Sequence, residues 1–421
     1  MKNTRLRLGA ALVAVSALAL GACEPAVEAP PETTGTTEET QESTGEETEE
    51  SAETGDAAGA DESEATTGAE GSDDAVAAAS ALIEQVSQPV AEFTPPGPPV
   101  DGVVDLAGGT VYYIPATLQV PMFGNVRDSL TEALGAVDVS VQTCDGKANP
   151  ADIAGCLSQA VNAGADAIIA GSIPTELAAT SFQSVEDAGI PLLYMQTAPA
   201  GPGDPTKVGY LTPNYVEMQA WNASWVVADS DGAANVLVVK VTDTPATIQW
   251  IEQGALATYE ELCPECTVTV VETNTGQLDK LPSLVSSALV RDPDIGYVHV
   301  AFDVTVQPTI QGIQSSGRND VKVVSQDGVL PVMQSLGQGQ FMAAEVGFNQ
   351  DALAWYGADQ VLRMMAGQES VQELAFPYRR VFSRDDAAGL ELTPDGEASG
   401  QWYGDTGYAD GFLQLWGVSG R

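Results

Sequence analysis

The sequence holds a single histidine, His299, and only 16 lysines and arginines, against 59 aspartates and glutamates. Its formal net charge is -43 over 421 residues. A chain so poor in cations cannot neutralise a phosphate backbone, which excludes nucleic acid as a partner. A lone histidine offers little to catalysis or to metal binding. His299 lies in the apolar run Tyr297–Ala301 and reads as a satisfied core residue rather than a titrating site. There is no G-x-S-x-G elbow, no phosphate-binding loop and no dinucleotide fingerprint. "DGKANPAD" (Asp145–Asp152) has a hint of a calcium loop but lacks the central glycine and terminal glutamate. Carboxylate pairs carry no signal in a chain this acidic. No catalytic residue, metal or cofactor is therefore expected, and the chain reads as a non-enzyme.

What is present begins at the amino end. Lys2, Arg5 and Arg7 precede the apolar run Leu8–Leu20, whose 13 residues are too few to span a bilayer with certainty. The run ends in Leu20-Gly21-Ala22-Cys23, which resembles a bacterial lipobox. The resemblance implies a signal peptide over residues 1–22, cleavage before Cys23, and lipidation of Cys23. An ordinary export signal with a chance cysteine is the alternative. Between Glu24 and Asp74 there are 18 acidic residues and no lysine or arginine. Such a stretch cannot bury enough apolar surface to offset its ordering entropy. Residues 23–75 read as a disordered acidic tether with a coil span of roughly 40 Å; an acidic tail for a partner is the other reading. From Ala75 onward 41 acidic residues still face 13 basic ones, a balance suited to a saline habitat.

The chain has five cysteines. With Cys23 set aside, four remain in an oxidising compartment. Cys144 with Cys156, and Cys263 with Cys266, are expected as disulfides. "CPEC" could be a redox motif, but that chemistry places the first cysteine at a helix N-terminus. Here the pair follows a helical pattern (Ile248–Leu262) and precedes a strand pattern (Thr267–Glu272), so a structural bridge is expected.

From Val111 onward, short apolar runs alternate with helical patterns. Strands are expected at Val111–Pro115, Val137–Gln142, Ala167–Ala170, Pro191–Met195, Val208–Leu211, Val236–Val241, Val268–Glu272, Tyr297–Ala301, Val321–Ser325 and Met342–Gly347. Several are apolar at consecutive positions, as parallel strands covered on both faces are. The alternation means doubly wound α/β, with ligand beyond the carboxyl ends of the strands. There are too many strands for one sheet, and the rhythm restarts after Pro213. Two parallel-sheet lobes are expected.

Five stretches, in order, carry a resemblance to a family: "ATLQVPMFGNVRDSLTEAL", "NPADIAGCLSQAVNAGADAIIAGSIPTE", "SVEDAGIPLLYMQT", "PDIGYVHVAFDVTVQPTIQGIQSSGRNDVKVVSQDG" and "MQSLGQGQFMAAEVGFNQDALAWYGADQVLRMMAG". Together they resemble the type 1 periplasmic sugar-binding proteins of ABC transporters, of the ribose- and galactose-binding kind. The resemblance covers about residues 110–380. It implies two lobes joined by a three-crossing hinge, with crossings near Thr212–Pro213, Asn349–Gln350 and Arg379–Phe382. Residues 110–212 plus 350–379 would form the first lobe, and 213–349 plus 380–421 the second. Residues 76–109 read as a helix (Val76–Ser87) and a proline-rich strap, "TPPGPPVDG", packed on the first lobe or continuing the tether. The aromatic C-terminal stretch is expected on the second lobe.

The resemblance places ligand contacts at strand tips. In the first lobe these are Gln119, Met122 and Phe123, then Gly171 and Ser172, then Gln196 and Thr197. Sugar-binding relatives commonly carry Asp-Arg where this chain has Gln196-Thr197. In the second lobe they are Asp243, Gln249, Trp250, Phe302, Asp303, Gln326, Asp327 and Phe348. Asp303 and Asp327 could instead cap turns. No lysine or arginine falls at these tips. A pocket of this kind rejects anions, because burying an unpaired charge costs several kcal/mol. A neutral solute, a sugar or polyol, is expected, with a cationic or aromatic molecule as the nearby alternative. The expected partners are that solute and an ABC permease, for a lipid-anchored monomer outside the cytoplasm. A sensory receptor of the same fold and a secreted carbohydrate-active enzyme are the competing classes.

Overall fold

The computed structural model describes residues 66–197, 203–372 and 374–418. Residues 1–65, with the expected signal peptide, Cys23 and most of the tether, lie outside the described residues.

Two sheets organise the chain. The first holds β1 (Thr110–Pro115), β2 (Ser140–Thr143), β3 (Ala167–Gly171), β4 (Leu192–Met195) and β5 (Val208–Leu211). All run parallel in the order β2-β1-β3-β4-β5. The second holds β6 (Asn235–Val241), β7 (Thr267–Thr273), β8 (Tyr297–Val300), β9 (Lys322–Asp327), β10 (Met342–Phe348) and β11 (Arg379–Ser383). Its order is β11-β10-β9-β8-β6-β7, with only β11 antiparallel. β3, β4 and β10 are buried along their whole length. This is why their sequences are apolar without alternation.

The chain crosses between the sheets at residues 212–214, after β5. It crosses again at Asn349, after β10, and before β11. Asn349 caps the helix Gln350–Met365, its Oδ1 accepting from the Asp351 and Ala352 amides at 3.0 Å. Almost every residue of that helix is buried. Inside it Arg363 Nε donates to Asp359 Oδ2 at 2.7 Å, and Trp416 Nε1 donates to Asp359 Oδ1 at 2.9 Å. A buried pair survives only with its remaining donors used, and Arg363 also donates to the Pro98 carbonyl at 2.8 Å.

That network fixes the two ends of the folded part, and it differs from expectation. The first helix runs Thr66–Val86, so it begins inside the stretch read as tether (23–75). It packs on the helix Tyr215–Asp229, with Ala79 among Ala223, Val226 and Val227, which is second-lobe territory. The strap then leaves that lobe. Val90 exchanges backbone hydrogen bonds with Tyr403 and Asp405. Phe93 packs edge-on against Phe412 at 4.9 Å, and the Tyr356 hydroxyl donates to the Thr94 carbonyl. The helix Tyr408–Leu415 lies on Gln350–Met365, where Trp355 stacks on Trp416 at 5.7 Å. The C-terminal stretch, expected on the second lobe, divides: Arg384–Ala388 packs there on Leu330–Gln338 and Tyr403 on Phe382, while these aromatic faces draw Tyr408–Leu415 to the first lobe. The chain thus passes between the lobes more often than the three expected crossings.

Both expected disulfides are present, Cys144–Cys156 and Cys263–Cys266. His299 is fully buried. Gln219 Nε2 donates to the Ala301 carbonyl, so Gln219 Oε1 accepts from His299 Nε2 at 2.6 Å. That leaves His299 Nδ1 to accept from the Tyr259 hydroxyl at 3.0 Å. Burial pushes this imidazole down to about 3, a neutral core histidine.

Candidate functional site

The carboxyl ends of the strands carry unusual backbone. Ser172, Gln196 and Asp327 follow or end β3, β4 and β9, and all three hold positive φ, at 54°, 58° and 127°. Asn214, in the first crossing, holds 59°. Non-glycine residues adopt such angles only when their surroundings compel them, and such strain gathers at functional sites.

On the first lobe, the Gln196 amide donates to Met122 Sδ at 3.6 Å, and its Oε1 is buried without a partner. Phe123 is buried yet belongs to none of the packed apolar cores. Gly171 leaves space for the Tyr113 ring, whose atoms would lie 3.1 Å from any added Cβ. The Tyr113 hydroxyl is buried and unpartnered. Ser172 and Thr197 both bond back to the Met195 carbonyl, through a backbone amide at 2.8 Å and a hydroxyl at 3.3 Å.

On the second lobe, aromatic rings form a continuous wall. Trp250 lies against Tyr215 at 4.2 Å, Phe348 meets Tyr215 edge-on at 6.0 Å, and Phe302 meets Trp250 edge-on at 6.4 Å. Trp250 opens a π-helical turn, Trp250–Leu256, a distortion often found at functional sites. The turn packs on Tyr215–Asp229 through Gly254, where a Cβ would collide with the Val216 carbonyl. Burial raises the Tyr215 hydroxyl's pKa well above the usual value, and the Asp327 charge adds to this; the Gln196 amide beside it works the other way. Tyr215 thus gathers Gln196 from one lobe and Asp327 from the other.

Below the wall, three carboxyl groups share one turn. Asp303 Oδ1 accepts from the Ser325 hydroxyl at 2.7 Å and its Oδ2 from the Val329 amide at 2.9 Å. Glu345 Oε1 accepts from the Gly328 amide at 2.9 Å. Burial pushes Asp303 up to about 6. Burial, then the Asp303 charge, holds both Asp327 and Glu345 well above the carboxylate range. The Gln326 side chain is fully buried with neither amide atom partnered.

The structure brings together Met122, Gln196, Trp250, Phe302, Asp327 and Phe348. Four expected residues are used elsewhere. Gln119 is exposed on the turn before the helix Pro121–Gly135. Asp243 accepts the Thr275 amide and hydroxyl, fixing the turn after β7. Gln249 donates to Gln253 along its own helix at 2.8 Å. Asp303 holds the Gly328–Val329 turn. Tyr215 and Tyr113 were not anticipated. The only signal for Tyr215 was its place directly after the crossing Thr212-Pro213-Asn214. No group of histidine, cysteine and carboxylate side chains among the described residues could hold a metal ion.

Two doubly wound lobes with their strand tips turned to a shared, strained and partly unpaired polar surface define a two-lobed solute-binding protein. The family model described as periplasmic binding protein domain matches residues 111–369, and the chain belongs to that family, whose members bind solutes outside the cytoplasm. Solved structures agree in fold. A periplasmic ribose ABC transporter protein from Conexibacter woesei superposes with a TM-score of 0.60 at 17% identity, covering 69% of this chain and 97% of its own. A 5-methylthioribose transporter solute-binding protein from Thermotoga lettingae gives 0.61 at 14%, covering 72% and 96%. A solute-binding protein from Actinobacillus succinogenes with bound D-allose gives 0.59 at 16%, covering 67% and 99%. No curated protein matched the sequence. Among the described residues no helix is long and apolar enough to cross a membrane.

Proposed function

We propose that this chain is the solute-binding lipoprotein of an ABC importer and closes its lobes around a neutral sugar or polyol. The observation that carries the reading is the makeup of the cleft. An aromatic wall (Trp250, Tyr215, Phe302, Phe348) faces neutral acceptors and donors on the other lobe, with Asp327 between them. Rings pack on the C–H face of a sugar while amides and a carboxylate take its hydroxyls. Arg379, paired with Phe348 across the strands, is held by Glu217 and stacks over Trp221 at 4.6 Å, so it is not available to an anion. The relatives' bound sugars point the same way. Cys23 would carry the lipid, and the acidic residues between it and the helix that begins at Thr66 would let the lobes search for a permease near the membrane. The protein works as a monomer with no cofactor.

A thermal-shift screen of the chain against sugars, polyols, amines, aromatics and carboxylates tests this. A ligand at 100 times its Kd adds about 2.7 kcal/mol, a visible shift. Stabilisation by neutral sugars or polyols is expected. Stabilisation by anions alone would overturn the reading.

A further inference from the structure

The turn that presents Asp327 to the cleft does not hold itself. Asp327 and Gly328 both have positive φ, 127° and 78°, and strained backbone persists only where its surroundings over-determine it. Two carboxyl groups restrain the turn, Asp303 accepting from the Val329 amide and Glu345 from the Gly328 amide, each at 2.9 Å. Tyr403 is the third restraint. A Cβ added at Gly328 would lie 2.6 Å from the Tyr403 hydroxyl, and one added at Gly347 would lie 2.5 Å from it. The hydroxyl is thus wedged between the tips of β9 and β10, beside Asp327 on one and Phe348 on the other. The Tyr403 ring is buried and meets Phe382 of β11 edge-on at 5.4 Å. Burial raises the hydroxyl's pKa well above its usual value, and the Glu345, Glu397, Asp303 and Asp327 charges add to this. The wedge therefore stays uncharged beside the carboxyl cluster.

Tyr403 is itself held from the amino end of the chain. The Val90 amide donates to the Tyr403 carbonyl at 2.8 Å, and the Asp405 amide donates to the Val90 carbonyl at 2.8 Å. Between these bonds the strap passes so close to Gly404 that a Cβ there would lie 2.2 Å from the Val90 carbonyl oxygen. Arg380 secures the same junction, its Nε donating to the Ser87 carbonyl at 2.6 Å and its Nη1 to the Trp402 carbonyl at 3.0 Å. Val90 and Tyr403 both lie outside residues 111–369, which the family model matches.

We infer that Tyr403 is a positioning residue for the solute cleft, and that the strap, through Val90, sets where it stands. Solute capture then depends on a segment that touches no solute. The inference rests on the cleft being the solute site, but not on which solute the cleft takes.

Hydrogen exchange of the full chain, followed at the Gly328 and Val329 amides, tests the wedge without any solute. Calorimetric titration with D-allose reads its consequence in the cleft. Tyr403→Phe removes the hydroxyl and keeps the ring. It should speed exchange at both amides by about tenfold and weaken D-allose binding by about tenfold. Val90→Pro removes the amide that the Tyr403 carbonyl accepts from, at a distance from both the turn and the cleft. It should move both readouts the same way, by about threefold. Val285→Ala, in the buried core beneath the helix Leu281–Arg291, controls for lost stability alone. It should lower the melting temperature and leave both readouts at the wild-type level. Unchanged exchange in Tyr403→Phe, or equal changes in Val285→Ala, would overturn the inference. So would faster exchange with D-allose affinity intact, because the wedge would then hold the turn without serving the cleft. No effect of Val90→Pro would remove the strap from it. Failure of the wild-type chain to bind D-allose would count against the sugar reading of the cleft, and the exchange rates would still decide whether Tyr403 and the strap hold the turn.

Discussion

Among the described residues, the first lobe's sheet tips carry Gln196 and Thr197 as buried polar side chains, while Ser129, Asp359, Gln360, Arg363 and Ser370 lie away from the sheet, on its helices and the segment that follows; in the second lobe they include Gln219, Asn222, His299, Asp303, Ser325, Gln326 and Glu345. The first sheet is an apolar scaffold that turns polar only at its tips. The second carries a polar network from the cleft down into the sheet. Buried polar groups that are fully satisfied fix one geometry, and those left unpaired wait for a partner. The first lobe is thus expected to position the ligand, and the second to select it and to sense pH.

The largest test of this division compares one cleft residue from each lobe. Trp250→Ala removes the centre of the aromatic wall and should weaken the sugar or polyol found by screening by about 100-fold. Gln196→Ala removes one neutral amide and should cost about tenfold. Calorimetry reads both, and the reverse ranking would break the comparison. Next come the disulfides, one per lobe. Replacing Cys144 and Cys156 by serine opens a 12-residue separation and should lower stability by about 3 kcal/mol. The Cys263–Cys266 pair, three apart, should matter less, about 2 kcal/mol. Denaturant titration under oxidising conditions measures each.

The pH response should be smaller and should belong to the second lobe. Asp303, pushed up to about 6, adds stability that is complete below the ordinary carboxylate value and is lost as pH rises through 6. Glu345 and Asp327 are raised too, so they act in the same direction. His299, pushed down to about 3, opposes them: its contribution is whole above about 6.5 and is lost as pH falls toward 3. Three carboxyls against one imidazole should give a gain of about 1–2 kcal/mol from pH 7 to pH 5. Glu345→Gln should reduce that gain, and urea titrations at the two pH values decide it. An undiminished gain would place its source outside the carboxyl cluster. The smallest expected effect is none: Gln119→Ala, on an exposed turn, should leave affinity within error. A tenfold loss would bring Gln119 back into the site beside Met122.

Much of the fold was legible because parallel strands buried on both faces announce themselves as short apolar runs. β5, at Val208–Leu211, falls where its run of residues was expected. β11 was not anticipated as a strand, since its buried positions Val381 and Phe382 are flanked by arginines whose partners lie far off in sequence. The site was legible only in part. Trp250, Phe348 and Asp327 sit at strand ends or helix starts, where order along the chain locates them. Asp243 and Asp303 sit at equivalent places, but each finds a nearer backbone amide. Residue order cannot show that competition. Tyr215 was hidden because it opens a helix instead of ending a strand. The strap's route was hidden because its anchors, Arg363, Tyr356 and Tyr403, lie about 260 to 310 residues away along the chain.

Asp327 holds its carboxylate between the lobes on a backbone angle that only glycine adopts at ease. Selection for heat resistance alone would therefore favour Asp327→Gly, which relieves the backbone and removes a half-buried acid together. The protein from such a selection would melt later and hold its solute less well. Resistance to that drift, in a library scored on melting and on binding side by side, would mark where evolution has chosen capture over endurance.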